Sequence, residues 1–287
     1  MARKGAKLLF TLADLPRSPR PGPRILIYHQ IEAGLGRQME VGLRAFRRQL
    51  DWIERHGRIV PLEAALAQRA RPEADALFVL TFDDGYEDMF RLAFPILRER
   101  AFPFTLYLTT GSMESGGAGD APEGARPLSW DQVGEMLASG LVTIGAHTHG
   151  HPDLRALAEE AIAQELDRSD ELIERHIGLR PRHFAYPKGY WTAPAEPLVR
   201  ERYASAVLGA GPPVTGETDP YRVHRIPVQR SDGVFFFTRK ARTGLPLEER
   251  VRRVLRGYRP PDVARPVAEP GGSEQAGARR ERGAGGG

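Results

Sequence analysis

Short apolar runs alternate with amphipathic segments along most of this chain, and the alternation limits the folds open to it. The apolar runs have the length of strands, and the segments between them repeat apolar residues at helical spacing. Parallel strands need such helical crossovers, so we predict an α/β fold. Its parallel sheet would form a closed or incomplete barrel. The predicted strands are Arg24–Tyr28, Ala76–Phe82, Pro103–Leu108, Leu141–Ala146, His183–Tyr186, Ala204–Leu208 and Val223–Val228.

Three of the predicted helices have recognisable boundaries. The first carries its apolar residues between positions 43 and 53 on one face and stops at Gly57. The second begins at Ser129, where Gln132 completes a capping box. The third runs from about 157 to 177 and stops at a glycine.

The composition excludes several kinds of site. There is no cysteine, so disulfides, thiolate ligands and a cysteine nucleophile are ruled out, and any metal must be held by His, Asp or Glu. Lys and Arg number 41 against 37 Asp and Glu, a net charge of +4, and the arginines are scattered along the sequence. We therefore expect no nucleic-acid partner.

Three regions of the chain differ in composition. Residues 1–23 are an irregular lead-in, residues 24–258 a single folded domain, and residues 259–287 a Gly-, Pro- and Arg-rich tail that should be disordered. No apolar run has the length of a transmembrane segment. Asp14 and Pro16 interrupt the short apolar stretch near the start, so we expect no secretory signal and a cytoplasmic protein. The sequence indicates no oligomeric state.

Polar residues follow four of the predicted strands at the point where each ends. They are His29, the segment 83–85 (DDG), the segment 147–151 (HTHGH) and the segment 187–189 (PKG). In a parallel barrel the carboxyl ends of all strands open on one face, where barrel enzymes keep their active sites. Four polar segments far apart in sequence are therefore predicted to meet at one rim.

The aspartate pair of the DDG segment places two like charges side by side. Gly85 allows an unusual backbone dihedral there, so Asp83 and Asp84 can approach one centre. Their repulsion is costly unless a cation offsets it, and one carboxylate can bind a metal while the other acts as a base. The alternative is an ordinary Asp-Gly turn with solvated charges.

The histidine segment supplies neutral imidazoles suited to a divalent metal. In a helical turn, His147 and His151 would share a face and His149 would point away, whereas an extended segment would put all three on one side. Either geometry, with Asp84, makes a set of two histidines and one carboxylate that leaves positions open for water and substrate. Zn²⁺ is the expected metal, with Co²⁺, Ni²⁺ or Mn²⁺ possible, and the alternative is a His-rich surface turn.

The motifs TFDDG and HTHGH, in this order and spacing, resemble those of the polysaccharide deacetylases of carbohydrate esterase family 4, the NodB-homology domain. The resemblance runs from about Ile25 to Val228 and includes the later strings FAYPKG and HRIPV. It implies a deformed (β/α)7 barrel of parallel strands with outer helices. It also implies that Asp83 is the general base and that Asp84, His147 and His151 hold the metal.

The resemblance further implies secondary roles around these residues. Thr148 would fix the histidine loop by hydrogen bonding, and His149 would face solvent or substrate rather than bind the metal. The backbone N–H near Lys188 would donate to the oxyanion. Trp130 and Trp191 are candidates for stacking against a sugar, with core packing an equal alternative for Trp130.

Two histidines compete for the role of general acid. The string ILIYHQI resembles the permuted subgroup that deacetylates poly-N-acetylglucosamine, in which an early histidine is the acid, and this implies His29. Other members carry the acid on a late strand, which would be His224 here. We favour His29, because it directly follows its strand, whereas His224 precedes the end of its own.

One departure from the family pattern concerns the base. Many members have an arginine that orients it where this chain has Ala185. Arg225 and Arg230 are the candidates to replace that arginine.

The resemblance implies a metal-dependent hydrolase that removes N-acetyl groups from N-acetylated sugars, whether polysaccharide, oligosaccharide or lipid-linked precursor. The expected partner is therefore an N-acetylated glycan. Two alternatives stay open: a hydrolase of another C–N bond, as in cyclic imides or ureides, on the same scaffold, and a sugar-binding pseudoenzyme.

Overall fold

The computed structural model describes residues 21–117 and 124–243 of the chain. Most of the predicted lead-in and all of the predicted tail lie outside the described residues, as does the end of the predicted domain beyond Thr243. Among the described residues, no helix combines the length and the apolar character needed to cross a membrane.

Ten strands and eight α-helices make up the described parts of the chain. The strands are β1 (Arg24–Tyr28), β2 (Gln30–Ile31), β3 (Glu40–Val41), β4 (Arg58–Ile59), β5 (Leu77–Phe82), β6 (Phe104–Leu108), β7 (Val142–Ala146), β8 (His183–Ala185), β9 (Ser205–Ala210) and β10 (Val223–Pro227). The helices are α1 (Leu43–His56), α2 (Leu62–Gln68), α3 (Phe94–Glu99), α4 (Thr110–Glu114), α5 (Trp130–Ala138), α6 (Glu159–Ile177), α7 (Ala195–Arg202) and α8 (Gly233–Thr243).

Seven parallel strands close into a barrel. Their order is β1, β10, β9, β8, β7, β6, β5, and β1 pairs with β5 to complete the ring, with Tyr28 opposite Phe82. The predicted deformed (β/α)7 barrel is confirmed, and each of the seven predicted strands is present within two residues of its predicted bounds. The sequence does not predict β2, β3 or β4, because two residues are too few to show a period.

The helix boundaries follow the capping signals in the sequence. α1 buries Phe46, Leu50 and Ile53 on one face and ends before Gly57. Ser129 caps α5, and its side chain and that of Gln132 form the predicted capping box. α6 ends at a glycine in the left-handed conformation, which is a common helix stop.

The barrel interior is apolar at the end where the strands begin. Ile25, Val79 and Val223 point inward and pack in one cluster with Leu62 and Leu66 of α2. The alternate residues of the same strands face outward into the larger core between the sheet and the helices. α2 therefore closes the amino-terminal end of the barrel with apolar side chains.

The interior becomes polar toward the other end. Thr81 and Asp83 continue the inward face of β5, and Arg225 continues that of β10, all of them almost fully buried. The chemistry of the barrel is therefore concentrated at the carboxyl ends of the strands, which we call the mouth.

Candidate active site

The aspartate pair lies where β5 ends. The backbone N–H of Asp83 still donates to Tyr28 O at 3.0 Å, which extends the β1–β5 pairing and directs the Asp83 side chain into the barrel. Asp84 and Gly85 then both take left-handed backbone conformations, with φ of 72° and 76°. A left-handed non-glycine residue costs about 1–2 kcal/mol. This turn separates the two carboxylates, although His147 Nε2 lies near both, 3.8 Å from Asp83 Oδ2 and 3.5 Å from Asp84 Oδ1.

The histidine segment is neither a helical turn nor an extended strand. Thr148 and His151 are left-handed, with φ of 64° and 56°, and the N–H of His151 donates to Thr148 Oγ1 at 3.1 Å. The resulting turn brings the rings of His147 and His151 to 4.8 Å between centroids. Both geometries considered from the sequence were therefore wrong, although the predicted pairing of these two histidines is present and Thr148 accepts a hydrogen bond within the loop.

Asp84, His147 and His151 come together as a possible metal site. Asp84 Oδ1 lies 3.5 Å from His147 Nε2 and 3.7 Å from His151 Nε2, and the three ligand atoms all lie within 4.8 Å of one another. Ligands each about 2.1 Å from a tetrahedral zinc ion are about 3.4 Å apart. The side chains therefore already stand at nearly the spacing that a small divalent cation requires.

The protonation of His147 also fits a metal ligand. Its Nδ1 contacts Ala185 O at 2.7 Å, so this nitrogen carries the proton and Nε2 presents its lone pair toward Asp84. Burial, partly offset by Asp83, lowers the pKa of His147 to about 4. The imidazole is therefore neutral at physiological pH, as metal binding demands.

His149 is held away from this cluster. Its Nδ1 lies 3.0 Å from Thr110 Oγ1, and its backbone N–H donates to Glu165 O. His149 is partly buried, and no ligand-distance contact among the described residues joins it to Asp84.

Arg225 is the cation that meets Asp83. Its Nη1 and Nη2 donate to the two carboxylate oxygens at 2.6 and 2.7 Å, and both side chains are buried. Arg225 is itself fixed by hydrogen bonds to Leu208 O at 2.9 Å and Thr81 Oγ1 at 3.0 Å. Arg230, the other candidate, lies beside Gly36 instead.

This ion pair decides the charge of Asp83. Burial alone would raise its pKa, but the charge of Arg225, with smaller contributions from His147, the Arg225 hydrogen bonds and His29, lowers it to about 2. Asp83 is therefore ionised throughout the neutral range.

His29 occupies the single-residue connection between β1 and β2. Tyr28 pairs with Phe82, so His29 and Asp83 are the next residues of two adjacent strands. The Nδ1 of His29 is buried and makes no hydrogen bond to any described residue. The structure thus brings His29 to the mouth beside the predicted base.

His224 lies elsewhere. Arg225 points inward, so its neighbour His224 points out of the barrel, where its Nδ1 is 3.2 Å from Gly209 O. Leu26 pairs with Ile226, which places His224 at the level of Arg24, about 13 Å below the end of β1. It is not near Asp83.

The remaining predicted residues have mixed positions. Trp130 packs partly in the core and stacks on His176 at 4.4 Å, which favours the packing interpretation. Trp191 donates to Glu196 at 2.6 Å and is partly buried. Lys188 is left-handed, with φ 59°, in a turn where the N–H of Gly189 donates to Tyr186 O. Its role as oxyanion donor stays a prediction.

Sequence reasoning missed Tyr107 of β6. The Arg225 guanidinium lies over the Tyr107 ring at 5.5 Å, and the ring packs so closely on Gly145 that a Cβ there would stand 2.5 Å from it. Its hydroxyl is buried without a hydrogen-bond partner among the described residues. One tyrosine in an apolar strand gives no signal of this position.

A sequence profile of polysaccharide deacetylases matches residues 70–203, which include the aspartate pair and the histidine segment. The chain belongs to the polysaccharide deacetylase family. The matched residues 70–203 include neither His29 nor His224, so the family match does not distinguish between the two candidate acids.

Individual relatives support the same membership. This deacetylase-family chain is 25% identical over 209 residues to YxkH of Bacillus subtilis, named as a polysaccharide deacetylase, covering 71% of this chain and 70% of YxkH. It is 30% identical over 161 residues to the poly-beta-1,6-N-acetyl-D-glucosamine N-deacetylase of Escherichia coli K12, covering 51% of this chain but only 24% of that one. IcaB from Ammonifex degensii superposes with a TM-score of 0.66 at 29% identity, over 78% of this chain and 97% of IcaB.

Proposed function

We propose that this deacetylase-family protein is a metal-dependent hydrolase that removes N-acetyl groups from N-acetylated sugars. The observation that carries the proposal is the pair of neighbouring carboxylates, of which one is ion-paired to an arginine and the other lies at ligand spacing from two histidines. Asp84 faces His147 and His151 at ligand spacing, and Asp83 faces Arg225. One carboxylate is thereby available to a metal and the other to a water molecule.

The metal would be held by Asp84, His147 and His151, and we propose Zn²⁺ for this donor set, with Co²⁺, Ni²⁺ or Mn²⁺ as outcomes of elemental analysis. When bound, a divalent cation lowers the pKa of water toward about 7 and polarises a carbonyl. The protein supplies His151 and the neutral imidazole of His147, whose orientation is fixed by Ala185 O.

Asp83 is the proposed general base. It takes a proton from the attacking water, and the two hydrogen bonds from Arg225 hold its carboxylate in place during that transfer. The proton moves to Asp83, the water oxygen bonds to the acetyl carbon, and the C–N bond breaks to release acetate.

His29 is the proposed general acid. The departing amine needs a proton, and His29 is the histidine that lies at the mouth beside Asp83 without belonging to the proposed ligand set. Its Nδ1 is buried without a hydrogen bond to any described residue, so no structural hydrogen bond of that nitrogen accounts for a histidine here. General acid help of this kind contributes typically about 10²–10⁴-fold.

The substrate class rests on the relatives. The curated Escherichia coli relative acts, by its name, on poly-beta-1,6-N-acetyl-D-glucosamine. We therefore propose an N-acetylated hexosamine glycan, and acetate release from polymer, oligosaccharide and lipid-linked forms would rank them. Ring opening of a cyclic imide or ureide without acetate release would instead favour another C–N hydrolase on this scaffold.

The deciding experiment combines elemental analysis with an acetate-release assay. Asp84→Ala and His147→Ala should lose stoichiometric metal and lower acetate release more than 10³-fold, because each removes a proposed ligand. His149→Ala is the matched control from the same segment, and we expect it to keep its metal. Full activity without metal would refute the proposal, and a pure protein without metal or activity would indicate a sugar-binding pseudoenzyme.

A further inference from the structure

The strand that follows His29 is tied to the aspartate segment by one side chain. Asp88 Oδ1 accepts the backbone N–H of Ile31 at 2.8 Å. Asp88 directly precedes a π-helical turn, Met89–Ala93, that leads into α3 and packs against β2. The contact joins two segments that are 57 residues apart in sequence.

This contact restrains His29 from its C-terminal side. On the other side, Tyr28 is held in the barrel by its pairing with Phe82 of β5. Beyond His29, β2 pairs only with the two-residue β3 within the described chain, which is a weak anchor by itself. The Asp88 bond therefore adds the link that relates His29 to the segment 83–88.

That same segment carries the two aspartates of the site. Asp83 and Asp84 stand at its start, and the left-handed turn at Gly85 leads directly to Asp88. Restraining β2 at Ile31 through Asp88 therefore also restrains His29, two residues earlier, relative to Asp83. Small displacements of an acid from its leaving group are costly in rate.

A carboxylate at this position has a cost for stability. Burial raises the pKa of Asp88 to about 7, against the opposing hydrogen bond from Ile31 and with the charges of Glu40 and Glu87 adding to the increase. An amide would accept the same hydrogen bond without burying a charge. Stability alone therefore does not explain why residue 88 is an aspartate. The hydrogen bond from Ile31 explains why its side chain carries an acceptor oxygen.

We propose that Asp88 is a positioning residue that fixes the general acid His29 opposite the general base Asp83 through the Ile31 N–H. The inference rests on the proposed function, since it acts only if His29 is the acid. Asp88 does not touch the substrate, and the acceptor atom rather than the charge is what matters.

The test is a double-mutant cycle on the full chain with its metal, measured as acetate release. Asp88→Leu and Asp88→Ala should lower kcat at least 10-fold with KM and metal content little changed. Asp88→Asn keeps an acceptor oxygen and should recover most of kcat. In the His29→Ala background, Asp88→Leu should have almost no further effect on kcat, because the residue it positions is gone.

Asp219 gives a control outside the mouth. Its Oδ1 accepts the N–H of Tyr221, two residues on, at 2.9 Å, and its Oδ2 is ion-paired to Arg200, so Asp219→Ala removes a backbone acceptor without affecting the mouth and should leave kcat unchanged. Leucine fills the Asp88 position without a buried charge, so this variant stays testable if Asp88→Ala does not fold.

Three results would overturn the inference, and they differ from each other. Equal losses of kcat in Asp88→Leu and Asp88→Asn would mean that the acceptor oxygen is not what positions His29. Losses that multiply in the His29→Ala background would mean that Asp88 acts on something other than His29. Unchanged kcat in His29→Ala alone would remove the proposed acid, and this inference would fall with it.

Discussion

The two ends of the barrel use the same strands for opposite purposes. At the amino-terminal end, Ile25 of β1 and Val79 of β5 pack against α2 in an apolar cluster. Four residues further along each strand, the chain presents His29 and Asp83 at the mouth. The closed end needs only apolar side chains of suitable size, while the mouth buries polar groups that each require a partner.

The difference also appears in the backbone. Asp84, Thr148 and His151 all take left-handed conformations at the mouth, and two of the three are proposed metal ligands. Non-glycine residues in this region cost free energy that the surrounding structure must offset. The apolar end thus stabilises the fold, and part of that stability offsets the strained backbone that positions the reactive groups at the mouth.

The strongest test of this contrast is the buried base. Asp83→Asn keeps the shape of the side chain but removes its ability to take a proton, so we expect acetate release to fall about 10²–10⁴-fold. Metal content, measured by elemental analysis, should stay at one per chain, because Asp84 and both histidines are unchanged. Loss of the metal in this variant would show that Asp83 is a ligand and not a base.

The two candidate acids offer a test with an expected effect of similar size. His29→Ala should lower kcat about 10²–10⁴-fold with the metal retained, since His29 lies at the mouth. His224→Ala should change kcat little, because that ring points out of the barrel toward Gly209. Side-by-side turnover measurements decide between them, and the reverse pattern would move the acid to β10.

The apolar end should respond in stability and not in turnover. Leu62 of α2 is 1% exposed and packs inside the barrel, so Leu62→Ala should lower the free energy of unfolding by about 2–5 kcal/mol. Urea denaturation measures that loss, and kcat at a temperature where the variant is folded should be unchanged. A fall in kcat larger than the folded fraction explains would show that the two ends are coupled.

The smallest expected effect compares two buried aspartates. Among the described residues, Asp170 has no arginine partner like that of Asp83: burial raises its pKa to about 6, although Tyr203 donates to it at 2.8 Å. The folded state then binds more protons than the unfolded state above the usual pKa of about 3.9, so stability falls as pH rises from about 4 to 6.

Asp170→Asn keeps the acceptor for Tyr203 and cannot ionise. We expect it to stabilise the protein by about 1–3 kcal/mol at pH 8 and not at pH 4, as measured by urea denaturation at both values. An equal effect at the two pH values would mean that Asp170 does not titrate with a raised pKa.

Much of this architecture could be predicted from local patterns. The seven barrel strands are apolar runs of sufficient length, and the caps of α5 and α6 lie within a few residues of the helices they bound. Asp84, His147 and His151 belong to two short motifs, each following a strand of the same parallel sheet. Strand direction alone brings such motifs to one rim.

The partners of those residues depend on the closed barrel. Arg225 meets Asp83 across 142 positions of sequence, and Asp88 reaches Ile31 across 57, through pairings that no local period encodes. The choice between His29 and His224 likewise depends on which face of a strand each side chain occupies. Sequence periodicity predicted the strands, and two short motifs predicted the candidate ligands. The ring closure of β1 on β5 decided which buried charges neutralise each other, because that depends on distances between residues far apart in the chain.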